Sequence, residues 1–249
     1  MRVAGAKATK PATGVTTDVA LLVSADPAIA GGEVYVSRGG HKLAGALAAF
    51  VPHGLVVDGR RCLDAGASTG GFTDVLLRHG AERVVAVDVG YGQLAWRLRQ
   101  DHRVVVRDRT NVRELDADLI GGAVDLVVGD LSFISLTLVL DALIGVTAED
   151  GDLVLMVKPQ FEVGRERVGK GGVVRDPALR ADAVRTVAAA ADVRGWGARD
   201  VAPSPLPGPS GNVEFFLWLR RGPAVVDDAR IEAVVSAGPT SAAGEKVGE

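Results

Sequence analysis

The chain of 249 residues is 47% hydrophobic and 24% charged, the balance of a soluble globular enzyme, and its net charge of −3 argues against a generic nucleic-acid coating protein. A single cysteine, Cys62, excludes a disulfide framework and a cysteine-rich zinc site and suits a reducing cytoplasm, while His41, His53, His79 and His102 lack metal spacing. No apolar run approaches the ~18–20 residues of a membrane span and the polar first 17 residues carry no secretory pattern, so a cytoplasmic protein without membrane insertion is expected.

In chain order, residues 1–23 read as a small β segment, too short to bury a core alone, and 24–34 as a linker. From residue 35 strand and helix patterns alternate. Leu43, Leu47 and Phe50 fall at helical spacing within 42–50, and strands are predicted at 61–64, 83–88, 104–107, 124–130 and 153–158. Helical stretches lie between them at 72–78, 93–99 and 136–144. This alternation predicts an α/β fold with a doubly wound, Rossmann-like parallel sheet over residues 35–222. A glycine-rich, basic segment at 159–177 precedes a helix at 178–193, a strand at 198–202, a Pro/Gly loop and a last strand at 213–219. A C-terminal helix and a small, polar tail expected to be disordered complete the chain at 223–249.

The segment Asp64-Ala-Gly-Ala-Ser-Thr-Gly-Gly-Phe-Thr73 carries the chemistry of the first strand end. A short apolar strand runs into a carboxylate, a glycine-rich turn and a helix, and the next strand ends in Asp88, the layout of a nucleotide-type cofactor site. Gly66 and Gly71 take the outer positions of the dinucleotide fingerprint, but Ser68 replaces the glycine that admits a pyrophosphate. Asp64 before the turn would repel a pyrophosphate and suits a cation. S-adenosylmethionine, with a sulfonium, an ammonium, a ribose and no phosphate, fits. The candidate cofactor-binding residues are thus Asp64, Gly66, Ser68, Gly70, Gly71, Phe72 and Asp88, with Asp130 at the neighbouring strand end as a further candidate.

Four further ionisable residues stand where such a fold places chemistry. Asp130 and Lys158 end consecutive apolar strands beside the cofactor crevice, Glu214 opens the last strand, and Lys42 lies on the helix before the first strand. Singly, Asp130 reads equally as a helix cap, Lys42 as a solvated helix residue and Glu214 as an edge-strand charge. Lys158, a charge after five apolar residues, needs a reason. Jointly, two lysines and two carboxylates would orient one amine to take the proton of an attacking hydroxyl. No metal is expected at this site.

At these residues the sequence resembles the TlyA family, bacterial proteins called hemolysin A that act as ribosomal RNA 2′-O-methyltransferases, with a catalytic domain related to FtsJ. The carrying segments include Val36-Ser-Arg-Gly-Gly-His-Lys-Leu43, the turn at 64–73, Asp88-Val-Gly-Tyr-Gly-Gln-Leu94, Asp130-Leu-Ser-Phe-Ile-Ser135, Val157-Lys-Pro-Gln-Phe-Glu-Val-Gly164 and the stretch 204–216, and the resemblance runs from residue 1 to 222. It implies a catalytic tetrad of Lys42, Asp130, Lys158 and Glu214. It implies S-adenosylmethionine on the glycine-rich turn, with Asp88 on the ribose hydroxyls, and an adenine-side loop at Arg109-Thr-Asn111. It also implies ribosomal subunits as partners, with cytidine ribose methylated in the small-subunit RNA and, in many members, the large-subunit RNA. Family members begin with an S4 RNA-binding domain, of which residues 1–23 match only the tail, and a coding start further upstream is the favoured reading.

The basic loop at 164–175 is a candidate phosphate contact, set against an exposed flexible loop. Phe133 and Phe161 flank the tetrad and would stack a splayed base, although buried packing is the commoner fate of phenylalanine. Competing functions are a small-molecule O-methyltransferase, a S-adenosylmethionine-binding protein with little catalysis, and a membrane-active hemolysin, for which no amphipathic or spanning segment is found outside the expected core.

Overall fold

The computed structural model describes residues 34–208 and 210–238, together with three two-residue strands nearer the N-terminus. Those strands, β1 (Arg2–Val3), β2 (Ala6–Lys7) and β3 (Leu21–Leu22), form an antiparallel sheet in the order β2-β1-β3. The rest of the expected N-terminal segment, residues 24–33 of the linker and the tail at 239–249 lie outside the described residues. The chain divides into two units, Met1–Val34 and Tyr35–Glu249.

The second unit opens with helix α1 (Arg38–Phe50), which starts earlier than the apolar spacing predicts because the apolar signal begins only at Leu43. It buries Leu43, Ala46, Leu47 and Phe50, one stripe at helical period. Seven strands follow. They are β4 (Arg61–Ala65), β5 (Arg83–Val87), β6 (Val104–Arg107), β7 (Val124–Gly129), β8 (Thr147–Val157), β9 (Trp196–Pro203) and β10 (Phe215–Arg221). Their order in the sheet is β6-β5-β4-β7-β8-β10-β9, with β10 antiparallel to both neighbours and β6, β5, β4, β7 and β8 parallel. The sequence reading of a parallel sheet holds for that five-strand run. It departs at β10 because a loop rather than a crossover helix joins β9 to β10, and a chain that returns directly must pair antiparallel.

Both faces of the sheet are covered, which is why its strands read as continuous apolar runs. On one face Leu63, Val85, Val127, Leu155 and Leu217 meet α5 (Leu140–Gly145), α7 (Pro177–Asp192) and α8 (Asp228–Ala237) in one core. On the other, Cys62, Val84, Leu126, Val154 and Phe216 meet α1 and α2 (Gly71–Arg78). Burial of Cys62 pushes its thiol up to about 12, so it is an inert core residue.

Three elements differ from expectation. The helix expected at 93–99 is only α3 (Trp96–Arg99), because Ala95 still has a non-helical backbone (φ −56°, ψ 139°). The helix expected at 136–144 breaks into a 3-10 turn, Leu136–Leu138, and α5, since Val139 leaves helical geometry (φ −122°, ψ −6°). Strand β8 begins at Thr147 rather than 153, because residues 147–152 are mostly polar, with Glu149 and Asp150 exposed, and so carry no apolar signal. Short helices α4 (Ala117–Ile120) and α6 (Pro159–Glu162) complete the unit.

Candidate active site

The chain order reverses direction at β4, which has β5 on one side and β7 on the other, and this is where an open α/β sheet places a ligand. Ala65 pairs with Gly129, so β4 and β7 end level, and Asp130 N donates to Ala65 O at 3.1 Å. The two turns leaving these strands therefore face each other. Gly66 (φ +83°) makes that approach possible, because a Cβ there would stand 3.0 Å from the Asp130 carbonyl oxygen. On the α1 side, a Cβ on Gly71 would stand 2.7 Å from Gly40 N, so the bare glycine lets α1, and Lys42 with it, seat against α2.

Between the turns opens a cavity of about 480 Å³ whose walls include Gly66, Ser68, Asp88, Asn111, Asp130 and Ser132. Asp88 is held by two amides, its Oδ2 accepting from Ser68 N (2.8 Å) and its Oδ1 from Gly90 N (2.7 Å). The second lone pair on each oxygen remains for hydroxyl donors. Asn111 stands at the wall with its Oδ1 capping the next turn through Arg113 N. Gly71 and Phe72 line a smaller recess beside the Ser68 turn. Asp64 is placed differently from expectation. Its carboxyl is fully buried beneath the turn, Oδ2 accepting from Thr73 N (2.9 Å) and Thr73 Oγ1 (2.7 Å), and it does not line the cavity. Gly70 likewise is spent on the turn, capping α2 in left-handed geometry.

Burial raises Asp64 to about 7 despite the two Thr73 hydrogen bonds, and Asp130 and Asp88 raise it further. Three carboxylates thus gather around one turn. A pyrophosphate is disfavoured twice over, by this field and because Thr73 N, in the first turn of α2, is already bound to Asp64. The same donor set fits S-adenosylmethionine: a cationic centre in an anionic surround, Asp88 with lone pairs for ribose hydroxyls, and Asn111 and Val112 among the cavity walls.

A second, open groove of about 430 Å³ adjoins the first and shares Gly66, Ser68, Asp130 and Ser132 with it; its other walls include Lys42 and Lys158. The four tetrad residues form two ion pairs. Lys158 Nζ lies 2.6 Å from Asp130 Oδ1, and Lys42 Nζ lies 2.5 Å from Glu214 Oε2. Sheet register brings them there. Phe215 pairs with Val157, so Glu214, just before β10, and Lys158, just after β8, emerge together from the sheet edge. Glu214 thus precedes the last strand rather than opening it and is 1% exposed, backing Lys42 instead of lining the groove.

Of the two fates open to Phe133, a stacking surface or buried packing, its exposure excludes the second. It is 92% exposed, with a positive φ of 66°, and its ring centroid lies 5.3 Å from that of Phe161. A neighbouring cavity of about 550 Å³ is lined by both rings, Gln160 and Arg165. Two contributors were not singled out in the sequence. Asn212 ties the basic loop to the Pro/Gly loop, accepting from Val174 N and donating to Gly172 O. Ser132 Oγ accepts from Lys158 Nζ at 2.8 Å; its only sequence signal was its place two residues after Asp130.

A Rossmann-like sheet with this cavity at its switch point and an amine at the shared wall defines a S-adenosylmethionine-dependent methyltransferase. The chain belongs to the FtsJ-like methyltransferases, whose family model matches residues 35–221, and within them to the TlyA proteins. It is 61% identical over 220 residues to the 16S/23S rRNA (cytidine-2′-O)-methyltransferase TlyA of Mycobacterium tuberculosis, covering 88% of this chain and 80% of that one. It is 40% identical to hemolysin A of Brachyspira hyodysenteriae, covering 73% of this chain and 75% of that one. The solved structure of a hemolysin-type protein from Streptococcus thermophilus matches with a TM-score of 0.78 at 43% identity, over 83% of this chain and 75% of that one.

Proposed function

We propose that this chain methylates the 2′-hydroxyl of a cytidine ribose in ribosomal RNA. The observation that carries the reading is the shared wall, where the cofactor cavity and the open groove meet at Asp130 and Ser132 with the Lys158 amine beside them. S-adenosylmethionine supplies a methyl carbon activated by a positively charged sulfur. A ribose lying in the groove would present its 2′-oxygen to that carbon across the wall. Once Lys158 has released its own ammonium proton to solvent, its neutral amine would take the hydroxyl proton as the oxygen attacks and the sulfur–methyl bond breaks, and Asp130 balances the ammonium that results. Lys42, held by Glu214, adds a fixed positive charge that attracts the RNA backbone and the developing alkoxide. The exposed Phe133 ring, backed by the half-buried Phe161, offers a stacking surface for an unstacked base, and Arg165, Arg167 and Lys170 on the exposed loop offer phosphate contacts.

The chemistry favours RNA over a small acceptor, since the groove is open and basic at its rim rather than enclosed. A membrane-lytic role finds no support in the fold, because among the described residues no helix is long and apolar enough to cross a membrane. Incubating undermethylated ribosomal subunits with labelled S-adenosylmethionine, then mapping 2′-O-methyl positions, tests the reading. Label at a cytidine ribose is expected. Cofactor binding with no transfer to either subunit would overturn it.

A further inference from the structure

The structure assigns Ser132 as the residue that aims the Lys158 amine, a role that rests on the proposed methyl transfer. Lys158 Nζ has two close partners of different kinds. Asp130 Oδ1, at 2.6 Å, is the ion-pair partner. Ser132 Oγ, at 2.8 Å, is a directed acceptor. Charge attraction fixes how close an amine sits but barely constrains its rotation about the Cε–Nζ bond, whereas a hydrogen bond fixes a direction.

A lysine acting as base has two N–H groups and one lone pair. With one N–H on Ser132, the lone pair avoids the Asp130 carboxylate and the second N–H turns toward it. The lone pair then has one direction left, toward the groove that Lys158 and Ser132 both line. Ser132 thereby selects the rotamer in which the amine can receive a proton from that groove.

Local backbone geometry supports this. Ser132 is followed directly by Phe133, whose positive φ of 66° is a conformation costly for a bulky residue. Strain of this kind persists where a specific arrangement requires it, and the hydrogen bond to Lys158 is such an arrangement.

Ser132→Ala removes the directed acceptor while leaving all four tetrad residues. The expected result is a fall in kcat of about 10–100-fold, as for a reacting group held but misaligned, with KM for S-adenosylmethionine and for ribosomal RNA within about twofold of wild type. Ser132→Thr keeps the hydroxyl and restores most of the rate. A second measurement needs no RNA: labelling of the Lys158 amine in the free protein by a small amine-reactive reagent, followed by peptide mass spectrometry. Labelling is expected to rise several-fold in Ser132→Ala and to stay near wild type in Ser132→Thr. If wild type transfers nothing to ribosomal RNA, the functional reading fails, and the labelling comparison still decides the role of Ser132. Unchanged labelling in Ser132→Ala, or a loss of activity confined to KM, would overturn the assignment.

Discussion

Lys42 and Glu214, 172 positions apart in sequence, form an ion pair of 2.5 Å in which the side chains are 8% and 1% exposed. Each makes the other tolerable, because an isolated buried charge costs several kcal/mol. Glu214→Ala is therefore expected to lose about 3–5 kcal/mol of stability by stranding Lys42. The double variant Lys42→Met with Glu214→Leu should recover most of that loss in urea unfolding while transferring no methyl groups. If the double variant is as unstable as the single one, the pair is not the source of the cost.

Lys158 is expected to separate chemistry from binding. Lys158→Ala removes the proton acceptor from the wall between cavity and groove, and transfer should fall about 10²–10⁴-fold, the usual contribution of a positioned acid or base. The cofactor cavity keeps Asp88 with its two amide contacts, so S-adenosylmethionine affinity by calorimetry should stay within a few-fold of wild type. Loss of cofactor affinity would mean that Lys158 belongs to the other side of the wall.

Much of this was legible in the sequence, and the limits have physical causes. Lys158 announced itself because a charge following five apolar residues has to be justified by something at the strand end. The five parallel strands were legible for a similar reason, since two-sided burial writes an apolar run. The antiparallel placement of β10 was not, because hydrophobic pattern reports burial and not which neighbour a strand pairs with. Asp64 reads in sequence as a ligand contact, yet its neighbour Thr73 turns it inward, and only three-dimensional packing distinguishes the two. Ser132 had no signal beyond its place two residues after Asp130. A lone serine has no periodicity, and its meaning comes from a lysine 26 positions away.

Asp64 also leaves a signature in the dependence of stability on pH. In the fold its carboxyl is raised from the ordinary 3.8 to about 7, chiefly by burial. The folded chain therefore keeps this proton over a range where the unfolded chain has released it. Stability from Asp64 is fully present below about pH 4 and is lost as pH rises through about 7, each unit of the gap being worth about 1.4 kcal/mol. Asp64→Asn keeps an acceptor for Thr73 and never ionises. Urea unfolding of the free protein between pH 4 and 8 should show a flatter profile for the variant than for wild type. Parallel profiles would show that the carboxyl ionises normally in the fold.

The last prediction separates backbone strain from the geometry of the site. Gly54 and Gly66 both have positive φ, 101° and 83°, but a Cβ on Gly54 would meet nothing within 4 Å, whereas one on Gly66 would stand 3.0 Å from Asp130 O and 3.1 Å from the Leu131 side chain. Alanine at either position costs on the order of 1–3 kcal/mol for the left-handed conformation. Only at Gly66 does the added methyl also push the two strand-end turns apart, and with them Asp130, which serves both the cofactor cavity and Lys158. Gly54→Ala is expected to lose stability while keeping kcat and cofactor affinity. Gly66→Ala is expected to lose stability to a similar degree and, in addition, at least tenfold in both cofactor affinity and kcat, a loss that a shift of well under 1 Å at a reacting centre suffices to produce. Equal kinetic behaviour of the two variants would show that the turns tolerate separation and that the close approach of β4 and β7 does not set the geometry of transfer.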